Sequence, residues 1–174
     1  MKKVAVIGSP GSGKSVFSRK LGESLGLPVI HLDSYYWQAG WTPTATKDWD
    51  EFLKKQVGAD KWIIDGNYMR TLDIRLKAAD TIVFLDLPRP LCMYRIIKRC
   101  FMYRAKSRPD LNADCEEKLD AKFIKWVWNY KKKSRPKVLE SIRSQGQGKR
   151  TVVLSSRKEV EAFLKGLGKH KSQT

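Results

Sequence analysis

The sequence contains no long apolar segment and few cysteines. No run of side chains reaches the about 20 apolar residues that a membrane-spanning helix needs, and the apolar residues 4–7 are too few for a signal peptide. The three cysteines, Cys92, Cys100 and Cys115, stand at unrelated spacings, which argues against a disulfide framework and against a zinc site. These absences predict a cytoplasmic protein with no membrane partner.

The sequence also contains few acidic side chains. Against 35 Lys and Arg the 174 residues hold only 18 Asp and Glu, for a formal net charge of +17. Residues 89–150 alone carry 18 basic and 6 acidic side chains, a net charge of +12. This excess predicts an anionic partner, either a polyphosphate ligand or nucleic acid. For the lysine run at residues 130–135, an ordinary solvated basic face is the alternative.

Short β-branched runs alternate with amphipathic segments along the chain. A sequence of 174 residues is long enough for one core and short for two, so we expect a single domain. Strands alternating with helices predict an α/β fold with a parallel, doubly wound sheet. Gly26 predicts the end of the first helix, and Ser156 with Glu159 predicts a capping box that opens the last one. The five predicted strands are KVAVIG, PVIHLD, KWIIDGN, TIVFLDL and RTVVLSS, with an aromatic loop at residues 34–44 and a surface excursion at 105–118.

The segment GSPGSGKS fits the P-loop pattern G-x-x-x-x-G-K-S/T and lies between a predicted strand and a predicted helix. Its glycines let backbone N–H groups converge on phosphate oxygens, and the helix that follows adds partial positive charge. Lys14 is then expected to reach the β- and γ-phosphates, and the Ser15 hydroxyl to take a position on Mg²⁺. The predicted nucleotide-binding residues are Gly8, Ser9, Pro10, Gly11, Ser12, Gly13, Lys14 and Ser15, with ATP and Mg²⁺ as the cofactors.

Two acidic residues end predicted strands. Because the carboxyl ends of parallel strands meet at the ligand-binding edge of a sheet, Asp65 and Asp33 are expected beside the P-loop. Asp65 would hold a water on Mg²⁺, while a turn or cap role is the alternative. Asp33 would orient or deprotonate an acceptor hydroxyl, with a metal-shell or loop-capping role as the alternative. His31, on the same strand face as Asp33, is expected to be packed or hydrogen-bonded rather than catalytic.

Further candidates for acceptor binding follow the second and third strands. Arg70 and Arg75 could clamp an anionic group bidentately. The aromatic loop could form a stacking platform for a ring, or could simply cover the core. Its aromatic residues are Tyr35, Tyr36, Trp37 and Trp41. The predicted substrate-binding residues are Asp33, Tyr36, Trp37, Asp65, Arg70 and Arg75.

Longer stretches of the sequence resemble known kinases. WIIDGNYMR is similar to the adenylate-kinase-type strand with Asp-Gly and a following arginine. LPRPLCMYRIIKR is similar to the helix that leads into the lid of nucleoside monophosphate kinases and shikimate kinases. With HLD, RPD and WVWNY added, the chain more closely resembles the bacterial DNA topology modulation (FlaR-related) proteins, a family described as adenylate-kinase-like.

This resemblance implies a three-layer P-loop NTPase fold. Its parallel sheet would have five strands in the order 2-3-1-4-5, with a helical lid insertion. We therefore expect one domain over residues 1–174, with an acceptor-binding segment near 33–60 and a lid near 100–120. The chain has no CxxC zinc lid and lacks the adenylate-kinase acceptor motif after the second strand, which argues against adenylate kinase activity itself.

The resemblance also implies roles for arginines of the helix before the lid. Arg95 and Arg99, one helical turn apart, would bind the nucleotide and neutralise charge on the transferring phosphoryl group. Arg104 and Arg108 could join them, while an ordinary basic surface helix is the alternative. The predicted catalytic residues are Lys14, Asp33, Arg95 and Arg99.

The expected activity is that of an ATP-dependent, nucleoside monophosphate kinase-like phosphotransferase acting on a small, anionic acceptor. One alternative is a nucleic-acid-binding ATPase that modulates DNA topology, suggested by the net charge and by the name of the resembling family. The other is an ATP-binding protein without turnover.

Overall fold

Strands and helices alternate along the chain. The computed structural model describes residues 1–103, 115 and 120–169. The five strands of the main sheet are β1 (Lys3–Gly8), β2 (Val29–His31), β3 (Trp62–Asp65), β4 (Thr81–Leu85) and β5 (Arg150–Leu154). The α-helices are α1 (Lys14–Leu25), α2 (Leu32–Tyr36), α3 (Thr46–Gly58), α4 (Leu72–Ala78), α5 (Arg89–Met102), α6 (Ala121–Lys133), α7 (Arg135–Gln145) and α8 (Arg157–Lys169).

The main sheet is parallel throughout, with the strands in the order β2-β3-β1-β4-β5. This order confirms the predicted α/β fold and its 2-3-1-4-5 sheet. A second, antiparallel pair of two-residue strands, Trp37–Gln38 with Thr42–Pro43, lies where the sequence predicts only a loop. Because the five main strands are parallel, the carboxyl ends of β1, β2 and β3 meet at one edge, and the loops that follow them form the site.

Two apolar layers enclose the sheet. Alternate residues of β1 point to opposite faces, so Ala5 and Ile7 belong to one core and Val4 and Val6 to the other. The first core includes Trp49 and Leu53 of α3, Leu72 and Leu76 of α4, and Val138 of α7. The second includes Phe17 and Leu21 of α1 and contacts α8. Each fully buried aliphatic or aromatic side chain stabilises the fold by about 1.5–3 kcal/mol, so the sheet is the rigid support of the loops at its edge.

Helix ends follow the residues that predict them. Gly26 adopts a left-handed conformation (φ 67°), and its N–H donates to the carbonyl oxygen of Gly22 at 2.8 Å. At the start of α8, Glu159 N–H donates to Ser156 Oγ at 3.2 Å. Glu159 Oε2 accepts from the N–H of Ser155 at 2.8 Å, one residue before the cap itself. Both predicted end signals are confirmed, with this small change in the return hydrogen bond.

Most of the predicted lid near residues 100–120, including Arg104 and Arg108, lies outside the described residues. Within that span the structure describes the end of α5, then Tyr103, Cys115 and Asp120. Cys115 is buried, and its thiol donates to the carbonyl oxygen of Gln38 at 3.2 Å. None of the three cysteines forms a disulfide. Over the described ranges, no helix combines the length and the apolar character that crossing a membrane requires.

Candidate active site

A cavity of about 850 Å³ opens beside the P-loop at the carboxyl edge of the sheet. It draws residues from the P-loop, α1, the segments after β2 and β3, α5 and α6, so it joins parts of the chain that are distant in sequence. Its lining residues are Pro10, Gly11, Gly13, Lys14, Ser15, Val16, Arg19, Asp33, Trp37, Trp41, Asn67, Tyr68, Arg95, Arg99, Tyr103, Asp120, Phe123 and Trp126.

The P-loop connects β1 to α1, as the sequence predicts. Gly11 has φ 75°, and a Cβ there would collide with the carbonyl oxygen of Cys92 on α5, so only glycine fits. Gly13 (φ 91°) precedes the first residue of α1, Lys14. The first N–H groups of a helix have no partner within it, and Lys14, Ser15 and Val16 of this turn line the cavity, so the start of α1 favours an anion there.

Lys14 folds back over the P-loop. Its Nζ donates to the carbonyl oxygen of Ser9 at 3.2 Å and keeps further hydrogens for a ligand. Burial lowers the pKa of Lys14, while the carboxylates of Asp33 and Asp65 oppose this shift. The Lys14 ammonium thus lies between the phosphate-binding loop and two acidic side chains.

Arg95 joins α5 to the P-loop. One of its terminal nitrogens, Nη1, donates to the carbonyl oxygen of Ser12 at 2.9 Å and lies 3.5 Å from that of Gly11. Arg99, one turn further along α5, lines the same cavity, in agreement with the predicted spacing. Arg19 of α1 adds a cation that the sequence analysis missed, because helix α1 offered no motif beyond the P-loop.

Asp33 faces the cavity from the first turn of α2, because β2 ends two residues earlier than predicted. The hydroxyl of Tyr68 donates to Asp33 Oδ1 at 2.7 Å. Burial and the neighbouring Asp33 carboxylate raise the pKa of Tyr68, so its hydroxyl remains a hydrogen-bond donor. Tyr68 therefore orients Asp33. Tyr68 belongs to the stretch WIIDGNYMR, whose pattern alone predicts no role for it.

Asp65 lies just behind the cavity rather than on its wall. It is 4% exposed, and His31 Nδ1 lies 2.6 Å from its Oδ2. This contact follows from the register, because His31 and Asp65 are partners across β2 and β3. His31 is hydrogen-bonded, as expected, and Asp65 is not among the residues that line the cavity, so its role in substrate binding stays a prediction.

Arg70 and Arg75, the predicted anion clamp, both point away from the cavity. Arg70 lies on the surface, where its guanidinium binds Asp50 bidentately at 2.6 and 3.0 Å. Arg75 is fully buried and donates to the carbonyl oxygens of Gly66 and Tyr68, each at 3.0 Å. Burial lowers the pKa of Arg75 to about 10. This arginine therefore supports the loop after β3 from behind.

The aromatic loop divides between wall and core. Trp37 and Trp41 line the cavity, with ring centroids 5.5 Å apart and planes tilted by 68°. Tyr36, predicted to bind substrate, instead packs between Trp49 and Tyr68, at centroid distances of 5.0 and 4.6 Å. The Tyr36 ring also contacts the Trp37 ring edge-on, with the centroids 4.9 Å apart, and so supports the cavity wall from behind.

Asn67 is a lining residue that no motif predicts. Its side-chain nitrogen and oxygen are both buried, and neither has a hydrogen-bond partner within the described part of the chain. Buried amides are normally hydrogen-bonded. Because both atoms have almost no accessible surface, the Asn67 side chain must turn towards the cavity before its amide can offer a donor group and an acceptor to a ligand.

No protein-family model matches the chain, and no curated protein matches it. Solved structures do. A shikimate kinase from Acinetobacter baumannii in complex with shikimate has a TM-score of 0.60 at 15% identity, covering 99% of this chain and 93% of that one. The chain has the fold of P-loop kinases.

Two other kinases share this fold with the chain. A deoxyadenosine kinase from M. mycoides with bound dATP has a TM-score of 0.54 at 13% identity, covering 94% of this chain and 98% of that one. A gluconokinase from Sinorhizobium meliloti 1021 has a TM-score of 0.53 at 16% identity, covering 98% and 95%. None of these findings supports the resemblance to DNA topology modulation proteins, so that resemblance and the nucleic-acid alternative stay predictions.

Proposed function

We propose that the protein is an ATP-dependent phosphotransferase that moves a phosphoryl group onto a hydroxyl of a small molecule. The observation that carries this proposal is Asp33, held by the Tyr68 hydroxyl at 2.7 Å in the same cavity as Lys14. A carboxylate is useful to a hydroxyl acceptor, which must lose a proton, and useless to a phosphate acceptor, which is already anionic.

The phosphates of ATP bind at the P-loop, where backbone N–H groups and Lys14 meet them. Arg99 faces the same space and neutralises charge on the transferring group. Arg95 holds the loop in shape through Ser12. Mg²⁺ fits this donor set, since Ser15 lines the cavity and such ions take few protein oxygens beside the phosphates. When bound, it would neutralise phosphate charge, with Asp65 behind as a carboxylate for its water shell.

In the reaction, the acceptor oxygen forms a bond to the γ-phosphorus as the bond from that phosphorus to the β–γ bridging oxygen breaks. ADP leaves with the electron pair of the broken bond. The hydroxyl proton passes to Asp33 and from there to water. Walls from α6, including Phe123 and Trp126, limit the access of water that would otherwise accept the phosphoryl group.

The structural neighbours are consistent with a hydroxyl acceptor. Shikimate kinase, deoxyadenosine kinase and gluconokinase are named for acceptors that carry hydroxyl groups. Because the sequences of these kinases are so different from that of this chain, they do not identify its acceptor.

Asp33→Asn tests the proposal. We expect kcat for acceptor phosphorylation to fall by about 10²–10⁴-fold, with the ATP dissociation constant unchanged, because the phosphate-binding groups stay in place. Phosphorylated product and ATP binding are measured separately, and Asp60→Asn, at an exposed position outside the cavity, is the matched control. Undiminished transfer in Asp33→Asn would exclude Asp33 as the group that serves the acceptor.

A further inference from the structure

We propose that the acceptor is an uncharged alcohol carrying a planar, hydrogen-bonding ring, the chemical class of a nucleoside. This inference rests on the proposed phosphotransferase function and names its acceptor. It contradicts the anionic acceptor expected from the sequence. Three features of the cavity carry it: the distribution of charge, the two tryptophans and the unpartnered amide.

Charge differs between the parts of the cavity wall. The cations that the structure describes there, Lys14, Arg19, Arg95 and Arg99, come from the P-loop, α1 and α5. The segments after β2 and β3 contribute none. Their lining residues are Asp33, Trp37, Trp41, Asn67 and Tyr68. An anionic acceptor beside Asp33 would meet a like charge, which disfavours its binding.

Arg70 and Arg75, which could have balanced the negative charge of Asp33, bind other groups instead. Arg70 binds Asp50 through both terminal nitrogens on the surface. Arg75 lies under the loop after β3, bound to the carbonyl oxygens of Gly66 and Tyr68. Rotating Arg75 into the cavity would strip both carbonyls of their donor, which costs about 1–3 kcal/mol for each buried group left unsatisfied.

The tryptophans favour a flat ligand. Trp37 and Trp41 form an angled apolar wall, and Trp41 adopts φ 62°, a conformation that bulky residues rarely take. Backbone strain of this kind clusters at ligand sites, where surrounding contacts hold it. Stacking of a base on an aromatic side chain contributes about 1–3 kcal/mol to binding. Non-planar alcohols such as shikimate and gluconate gain less from such a wall.

The Asn67 amide indicates that the ring of the ligand carries hydrogen-bonding groups along its edge. Its amide carries a donor and an acceptor side by side, and both are buried without a partner in the described chain. Nucleobases present adjacent donors and acceptors along their edges, and amide side chains bind them bidentately. When the Asn67 side chain turns towards the cavity, a ligand edge of this kind satisfies both amide atoms at once, which a lone hydroxyl does not.

Matched ligands test the class. The probes are the common nucleosides, their 5′-monophosphates, which add charge and block the 5′-hydroxyl, and ribose, which lacks the base. Shikimate and gluconate represent anionic alcohols with free hydroxyls, so they test charge alone. We expect at least one nucleoside to bind the ATP-free protein by calorimetry. That nucleoside should be phosphorylated with a kcat/KM about tenfold or more above those of its monophosphate, ribose, shikimate and gluconate, a margin that corresponds to about 1.4 kcal/mol.

Variants assign the recognition to residues. Asn67→Leu should raise the nucleoside KM by about 10- to 100-fold, since a buried hydrogen-bonding pair is lost, with the KM for ATP unchanged. Trp37→Leu should raise it by about tenfold. Trp128→Leu is the control, because Trp128 is exposed, lies against Arg89 and is outside the cavity wall.

The outcomes separate the inference from the function on which it rests. A preference for shikimate or gluconate would overturn the inference and leave the proposed transfer to a hydroxyl standing. Preferred transfer to the phosphate of a monophosphate would overturn both. Nucleoside binding without transfer to any alcohol, in protein that binds ATP, would uphold the ligand class and overturn the function. Equal KM values in Asn67→Leu and wild type would remove Asn67 from recognition. Because binding to the wild-type protein is measured first, the result does not depend on the variants folding.

Discussion

The two ends of the cavity are built by different means. At the proposed phosphate end, the eight consecutive residues 8–15 form the P-loop and the start of α1, and cations from α1 and α5 line the cavity beside them. At the acceptor end, single side chains from residues 33–68 converge without any local motif. Phosphate recognition is therefore visible as a motif, whereas acceptor recognition depends on how separate segments pack. Four substitutions probe this contrast, from the largest expected effect to the smallest.

Lys14→Ala tests the phosphate end. We expect ATP turnover to fall by about 10³-fold or more, because the cation that meets the transferring phosphate is lost. Nucleoside binding to the ATP-free protein, followed by calorimetry, should remain within about twofold if the two ends are separate. A comparable loss of nucleoside affinity would show that Lys14 also serves the acceptor.

Arg75→Met tests whether Arg75 supports the fold rather than the ligand. The substitution leaves the carbonyl oxygens of Gly66 and Tyr68 without their donor. We expect the free energy of unfolding to fall by about 2–4 kcal/mol, measured by denaturant unfolding. The KM ratio of anionic to neutral acceptors should not change in protein that remains folded. A selective loss of anionic acceptors would restore Arg75 as a clamp.

Tyr68→Phe tests the positioning of Asp33. The ring still packs against Tyr36 and Trp49, but the hydrogen bond to Asp33 is lost. We expect kcat to fall by about 5- to 10-fold, in line with about 1 kcal/mol for one hydrogen bond, with little change in KM for ATP. Tyr35→Phe, at an exposed ring, is the control. A fall as large as that of Asp33→Asn would make Tyr68 more than a positioning residue.

Arg70→Ala should have the smallest effect. The bidentate pair with Asp50 lies at the surface, where solvent screening leaves ion pairs with little net effect on stability. We expect the midpoint of denaturant unfolding and the acceptor kinetics to stay close to those of the wild type. The ion pair should weaken further as salt is added. An increase in acceptor KM would contradict the assignment of Arg70 to the surface.

The structure confirms the predictions from sequence that concern local patterns of neighbouring residues. The strands, the P-loop and the joint position of Arg95 and Arg99 on the cavity follow from local patterns. The direction of Arg70 and Arg75 does not, because it depends on where the segment after β3 turns into α4 and which side of that turn is buried. The spacing of residues in the sequence determines neither the position of this turn nor the side of it that is buried.

The hairpin and Tyr68 illustrate the same limit. Strands of two residues, Trp37–Gln38 and Thr42–Pro43, are too short to show an alternating pattern. Tyr68 matters through its distance to Asp33, 35 positions earlier in the chain. Such a contact exists only after β2 and β3 have paired. The roles of Asp33 and Tyr68 in catalysis stay predictions until their variants are measured.

The close fit of Gly11 against the backbone of α5, together with the hydrogen bond from Arg95 to Ser12, has a mechanical meaning. The P-loop cannot keep its shape if α5 rotates or tilts against it, because Gly11 leaves no room for even a methyl group between loop and helix. The position of α5 therefore sets the shape of the P-loop.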